Sequence, residues 1–115
     1  MLTNLVFEET APGTVVVPLS GKLMLGQGGE QIVTLVEQLL KQGKRIFIFD
    51  LSGVAAIDST GIGHFIASFN QIMGAGGDMR MAGATGHVLE SFKVSLLDTV
   101  FRFFPSVEEA RNAPN

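Results

Sequence analysis

Asp58-Ser59-Thr60-Gly61-Ile62-Gly63 is the segment of this sequence best equipped for chemistry. It sets a hydroxyl between a carboxylate and a second hydroxyl, followed by closely spaced glycines. Upstream, Arg45 to Leu51 is apolar at nearly every position, which predicts a strand buried on both faces. Downstream, Ile62, Phe65, Ile66, Phe69, Ile72 and Met73 recur at helical spacing and form one apolar stripe. The expected arrangement is a strand, a short loop, and a hydroxyl at a helix N-terminus. Ser59 is expected to cap that helix by accepting a bond from a backbone N–H one turn in. Unpaired N–H groups and the positive end of the helix dipole meet there. A phosphoryl group on Ser59 would therefore land where a helix tolerates an anion. It would add roughly −1.5 to −2 charges beside Asp58, changing the surface and leaving the fold intact.

The remaining candidates for chemistry are weaker. His64 follows Ser59 by five residues, about 500° around a helix, so a Ser–His nucleophile pair is disfavoured. His87 is a lone histidine on an expected helix and reads as a partly exposed surface or packing residue. Two histidines without a shared motif do not make a metal site, and no metal or cofactor is expected. The absence of cysteine removes disulfides, thiolate sites and Cys nucleophiles together. Gly26-Gln27-Gly28-Gly29 lacks the Gly-Lys-(Ser/Thr) ending of a phosphate loop and reads as a flexible turn. Asp-Ser-Thr-Gly differs by one inserted residue from the aspartic-protease triplet. No residue is assigned a catalytic role, and an enzyme is not expected.

Several elements must position the motif. Leu5 to Glu8 and Thr14 to Ser20 read as a hairpin turned by Pro12-Gly13. Pro18 cannot donate a ladder bond, so its strand is expected to have an edge or a bulge there. Ile32, Leu35, Val36, Leu39 and Leu40 share one helical face, and Gly43 stands where a helix ends. After the motif helix, stopped by Gly74, Gly76 and Gly77, Asp78 to Ala82 reads as a strand. A helix follows from Thr85 to about Phe92, with Thr85 as N-cap, and then a strand from Thr99 to Phe103. Ser106 with Glu109 is a capping-box pattern opening a last short helix. The order β-β-α-β-α-β-α-β-α predicts one α/β domain, with a mixed, mostly parallel β-sheet packed with amphipathic α-helices. It is read as spanning residues 1–115, with an ordered core of about 3–110 and a frayed tail at Arg111 to Asn115. Phe101, Phe103 and Phe104 are candidates for a partly exposed apolar patch, with the core as the preferred reading.

Composition narrows the function classes. The 115 residues, 46% hydrophobic and 17% charged, suit one globular core and not a disordered chain. Net charge is −3 and the eight basic residues are scattered, which argues against nucleic acid as a partner. The N-terminal stretch has neither the basic region nor the apolar core of a signal peptide. No apolar run approaches the roughly 20 residues of a membrane helix. A cytoplasmic protein with no membrane insertion is expected.

The hexapeptide in its strand-to-helix setting resembles the Asp-Ser-(Ser/Thr)-Gly-(Leu/Ile)-Gly motif of STAS domains, specifically the bacterial anti-sigma-factor antagonists. The likeness extends through Leu19-Ser20-Gly21-Lys22-Leu23, Gly76 to Gly83, Val88 to Phe92 and Ser106 to Ala110. It implies a single STAS domain acting as a non-enzymatic switch in regulation of transcription. Ser59 would be the phosphoacceptor, with Asp58, Thr60, Gly61 and Gly63 shaping the phosphosite loop and the docking surface. Its partners would be an anti-sigma factor that is also a serine protein kinase, bound when Ser59 is unphosphorylated so that the sigma factor is released, and a PP2C-type phosphatase. The alternative is a STAS scaffold subunit of a lipid-transport ATPase or a stressosome-like complex. Met24 stands where the family usually carries an acidic residue near the phosphosite.

Overall fold

The computed structural model describes residues 5–115. The two N-terminal positions of the expected ordered core, 3 and 4, and the first residues of the stretch weighed as a leader lie outside the described residues. Ten elements follow in chain order. They are β1 (Glu8–Ala11), β2 (Thr14–Leu23), α1 (Glu30–Lys41), β3 (Ile46–Ile57), α2 (Ser59–Gly74), β4 (Asp78–Ala82), α3 (Gly86–Val94), a 3-10 turn (Leu97–Thr99), β5 (Arg102–Phe104) and α4 (Val107–Asn112). The sheet runs β1-β2-β3-β4-β5. Its first pair is antiparallel and the others are parallel, so the α/β class and the mixed, mostly parallel sheet both hold.

Alternation along the strands sorts the core onto two faces. Val15, Val17 and Leu19 of β2, Phe47, Phe49 and Leu51 of β3, and Met79 and Met81 of β4 form one buried cluster. They share it with Ile32, Val36 and Leu39 of α1, Phe65 and Ile72 of α2, and Val88 and Phe92 of α3. The alternate residues Val16, Ile48 and Ala82 pack with Ala110, with Val107 and Phe104 at the margin. Helices α1 to α3 thus cover one face and α4 the other. That is why Phe47, Ile48 and Phe49 are all fully buried and why the middle of the sequence shows no apolar–polar alternation.

Several local readings hold. Gly43 at φ +89° follows the α1 C-cap, and Gly43 N–H and Lys44 N–H donate to Leu40 and Leu39 carbonyls, a Schellman ending. Ser106 caps α4 by accepting from Glu109 N–H at 3.2 Å. Pro18 lies past the end of the β1 pairing, and a register shift against β3 falls between Pro18 and Ser20, so it has both an edge and a bulge. The core reading holds for Phe101, which is buried, and only in part for Phe103 and Phe104, which are half-buried at its margin.

Other readings are corrected. Of the expected α2 stripe, Phe65 and Ile72 are buried and Ile62 and Phe69 pack half-buried on the core, but Ile66 and Met73 are exposed, while Gly61 and Ser68 are buried as well. Apolar periodicity gave the helix, but α2 is apolar on more than one side, so the pattern left its rotation open. β1 begins at Glu8, not Leu5, because a two-residue Pro12-Gly13 turn requires pairing right up to Ala11. β5 starts at Arg102, since Thr99 and Val100 are held in the 3-10 turn. Thr85 is the N-cap of α3 but makes no side-chain capping bond. The C-terminal segment read as frayed is tied down. Buried Arg80 donates to Ala110 O at 2.6 Å and Asn115 Oδ1 at 2.8 Å, and Arg102 donates to Pro114 O at 2.9 Å.

Candidate functional site

The sequence around the motif reads as strand, loop, helix, but the chain here has no loop. β3 continues through Ile57, pairing with β2 as far as Leu23↔Ile57, while its pairing with β4 stops at Asp50↔Ala82. Residues 52–57 with β2 therefore form a two-stranded arm beyond the sheet, and Asp58 alone joins the arm to α2. This is the carboxyl end of the parallel strands, where open α/β sheets place their functional residues.

Asp58, not Ser59, caps α2. Its Oδ1 accepts from Gly61 N–H at 3.0 Å, and its Oδ2 accepts from Leu25 N–H at 3.0 Å across the arm. Ser59 is the first helical residue, and its exposed side chain is left for other contacts. The Leu25 and Gly61 N–H groups hold the Asp58 carboxyl below the ordinary carboxylate range. Asp58 is thus anionic at neutral pH, closing the helix start and pinning the segment after β2 to it. The expectation that Ser59 caps the helix fails because the aspartate one residue earlier already fills that position.

The two motif glycines face opposite demands. A Cβ at Gly61 would stand 2.0 Å from the Leu23 carbonyl oxygen, so α2 lies on β2 at a distance only a glycine allows. Gly63 has open space around its Cβ position and lies one turn beyond Ser59 on the same exposed face. Nothing in the fold requires glycine there. Gly63→Ala is expected to stabilise the protein by up to about 1 kcal/mol through helix propensity, read as a higher midpoint in a urea titration. An equal or lower midpoint would show that the bare backbone at 63 serves the fold. Thr60, between these features, is half-buried.

Beside Ser59 lies a groove of ≈ 370 Å³ between the start of α2 and α3. Ile57, Ile62 and Val94 supply its apolar wall; Asp58, Ser59, His87, Glu90, Ser91 and Ser95 supply the polar lining. Val94, on the groove wall, is 76% exposed, as is Leu25, whose backbone N–H tethers Asp58. α2 itself contains no Asp, Glu, Lys or Arg. His87 was not legible as part of this site, because its 28-residue separation from Ser59 carries no spacing signal. His64 goes elsewhere, its ring packed against Gly29 at the start of α1. Among the described residues no group of three His, Asp or Glu side chains could hold a metal ion. No described helix is long and apolar enough to cross a membrane.

A mixed five-stranded sheet with α1 to α3 on one face and an exposed serine opening the helix after its central strand defines a small α/β domain with a surface site. The chain belongs to the STAS domain family, whose family model matches residues 8–110. Among solved structures it is similar to a putative anti-sigma factor antagonist from Thermotoga maritima, with TM-score 0.84 and 18% identity over 93% of this chain and 91% of that one. It is also similar to the Bacillus cell fate determinant SpoIIAA in the phosphorylated form, with TM-score 0.74 and 22% identity over 95% and 97%. The anti-sigma factor antagonist SpoIIAA in its unphosphorylated form gives TM-score 0.73 and 19% identity over 94% of each chain. A sulfate transporter family protein from Wolinella succinogenes gives TM-score 0.78 and 14% identity over 90% and 85%. At these identities the likeness is one of fold. No curated protein sequence matches the chain significantly.

Proposed function

We propose that this chain is an anti-sigma-factor antagonist whose grip on its partner is controlled by phosphorylation of Ser59. The observation that carries the reading is the placing of Ser59. Its hydroxyl is exposed at the first position of α2, released from capping by Asp58, and set beside the apolar wall of the α2–α3 groove on a helix without Asp, Glu, Lys or Arg. A partner can close over such a surface, whereas a dianion in its centre opposes closure by burying an unpaired charge. The partner is an anti-sigma factor that is itself a serine protein kinase. It binds the unphosphorylated form in the cytoplasm and frees the sigma factor for transcription. A PP2C-type phosphatase resets the serine. The role is binding and not catalysis, with Asp58, Thr60, Gly61 and Gly63 forming the phosphosite surface.

Ser59→Ala is expected to bind the kinase and escape modification, while Ser59→Asp and the phosphorylated protein lose at least tenfold in affinity, about 1.4 kcal/mol. Calorimetry with the cognate kinase reads this directly, and equal affinity for all forms would remove Ser59 as the switch. The scaffold reading, in a transport ATPase or a stressosome-like assembly, draws on Met24 and on the transporter relative. It predicts stable incorporation into an assembly with no phosphate gained at Ser59 by mass spectrometry.

A further inference from the structure

What receives a phosphoryl group on Ser59 is decided by the donors around it. The start of α2 does not, since Asp58 already occupies it through the Gly61 N–H and, on its other oxygen, through Leu25 N–H. No lysine or arginine lines the adjoining groove. Ser91 and Ser95 donate their hydroxyls to the carbonyls of His87 and Ser91 at 2.9 and 3.0 Å, so their protons are committed to their own helix. Asp58 from the β3–α2 junction and Glu90 one turn along α3 are acceptors that repel a phosphate. The 3-10 turn packed against α3 contributes no lining residue. One donor remains. The His87 ring makes no hydrogen bond among the described residues, and His87 is exposed at the second position of α3, by the positive end of that helix dipole.

We propose that His87 is the intramolecular phosphate ligand of this domain: its imidazole binds a phosphoryl group carried by Ser59 across the α2–α3 groove. The proposal rests on Ser59 as the modified residue. Imidazole suits the task because its neutral form keeps one N–H donor and its cationic form offers two. A phosphate held this way lies over the apolar wall of Ile62 and Val94 and fills the recess otherwise open to a partner. Modification would then block the docking surface by occupancy as well as by charge. Free phosphate lacks the covalent tether that sets a high local concentration and is bound far more weakly.

The test uses phosphoserine incorporated co-translationally at position 59, so that no kinase is needed. It therefore stands or falls separately from Ser59 being a physiological kinase target. The second ionisation of phosphoserine, ordinarily near about pH 6, is followed by phosphorus NMR. A threefold change in ionisation constant, about 0.7 kcal/mol, lies within the range of an exposed ion pair. His87→Ala is expected to move the midpoint up by about half a unit, whereas Lys93→Ala, a cation of α3 that does not line the groove, leaves it in place. In parallel, the His87 ring resonances should shift on phosphorylation while those of His64 stay put. Adding inorganic phosphate at millimolar concentration to the unmodified protein should move neither. The proposal is overturned by equal midpoints in wild type and His87→Ala, or by Lys93→Ala acting as strongly as His87→Ala. An unmoved His87 resonance, or free phosphate reproducing the shift, also overturns it.

Discussion

Phe65→Ala is expected to destabilise the protein by about 3–5 kcal/mol, the cost of emptying a fully buried aromatic site. Phe65 is 0% exposed and stands where α2, α3 and the sheet meet. Its ring packs edge-on against Phe49 of β3 at 5.4 Å and against Phe92 of α3 at 5.9 Å, and Phe92 in turn touches Phe101 and Phe103. Removing the ring opens a cavity bounded by the sheet and by a second helix, neither of which can collapse into it without disturbing the other. Ile66→Ala is the paired control. Ile66 is 40% exposed, so its loss should stay below about 1 kcal/mol, in the ordinary range for surface positions. Urea titration of both variants, with unchanged slope, checks the pair. Comparable losses at 65 and 66, or a loss below about 1 kcal/mol at 65, would mean that α2 is rotated from the orientation described above.

Phe65 and Ile66 also mark how far the sequence could be read. Element order and sheet class were legible because glycine and proline stop signals separate runs whose periods differ, and the short unbroken apolar run Arg45 to Leu51 reads as a strand buried on both faces. The rotation of α2 was not legible. Its uncharged sequence offers no polar face to set against the apolar one, and Ser68 is buried with its hydroxyl donated to His64 O. The phosphosite segment showed its residues but not their division of labour. Asp58 and Ser59 are both good N-cap types, and choosing between them needs the length of β3, which its pairing with β2 extends to Ile57. His87 entered the site only through the packing of α3 beside α2, a tertiary fact with no local signature.

Gly61→Ala is expected to lower stability by about 3 kcal/mol, the upper end of the usual cost of overpacking, although alanine favours the helix by about 1 kcal/mol over glycine. The new methyl would meet the Leu23 carbonyl oxygen at 2.0 Å and Ile57 Cγ1 at 2.8 Å. An isoleucine methylene can turn aside, but a backbone carbonyl in a paired strand cannot, so α2 must lift from β2. Lifting it pulls Asp58 away from Leu25 N–H and from the Leu23 carbonyl that its own N–H reaches at 3.3 Å. The damage therefore falls on the phosphosite as well as on the fold. A loss of that size in a domain of this length lowers the melting temperature by roughly 10 °C. The Leu25 amide should also lose protection against hydrogen exchange more than amides in the centre of β3. The contrast with Gly63→Ala gives the test its discrimination, since the same substitution two residues along the same helix meets no atom and should raise stability. If Gly61→Ala melted within about 2 °C of wild type with the Leu25 amide still protected, close contact of α2 with β2 would not be what makes this position glycine.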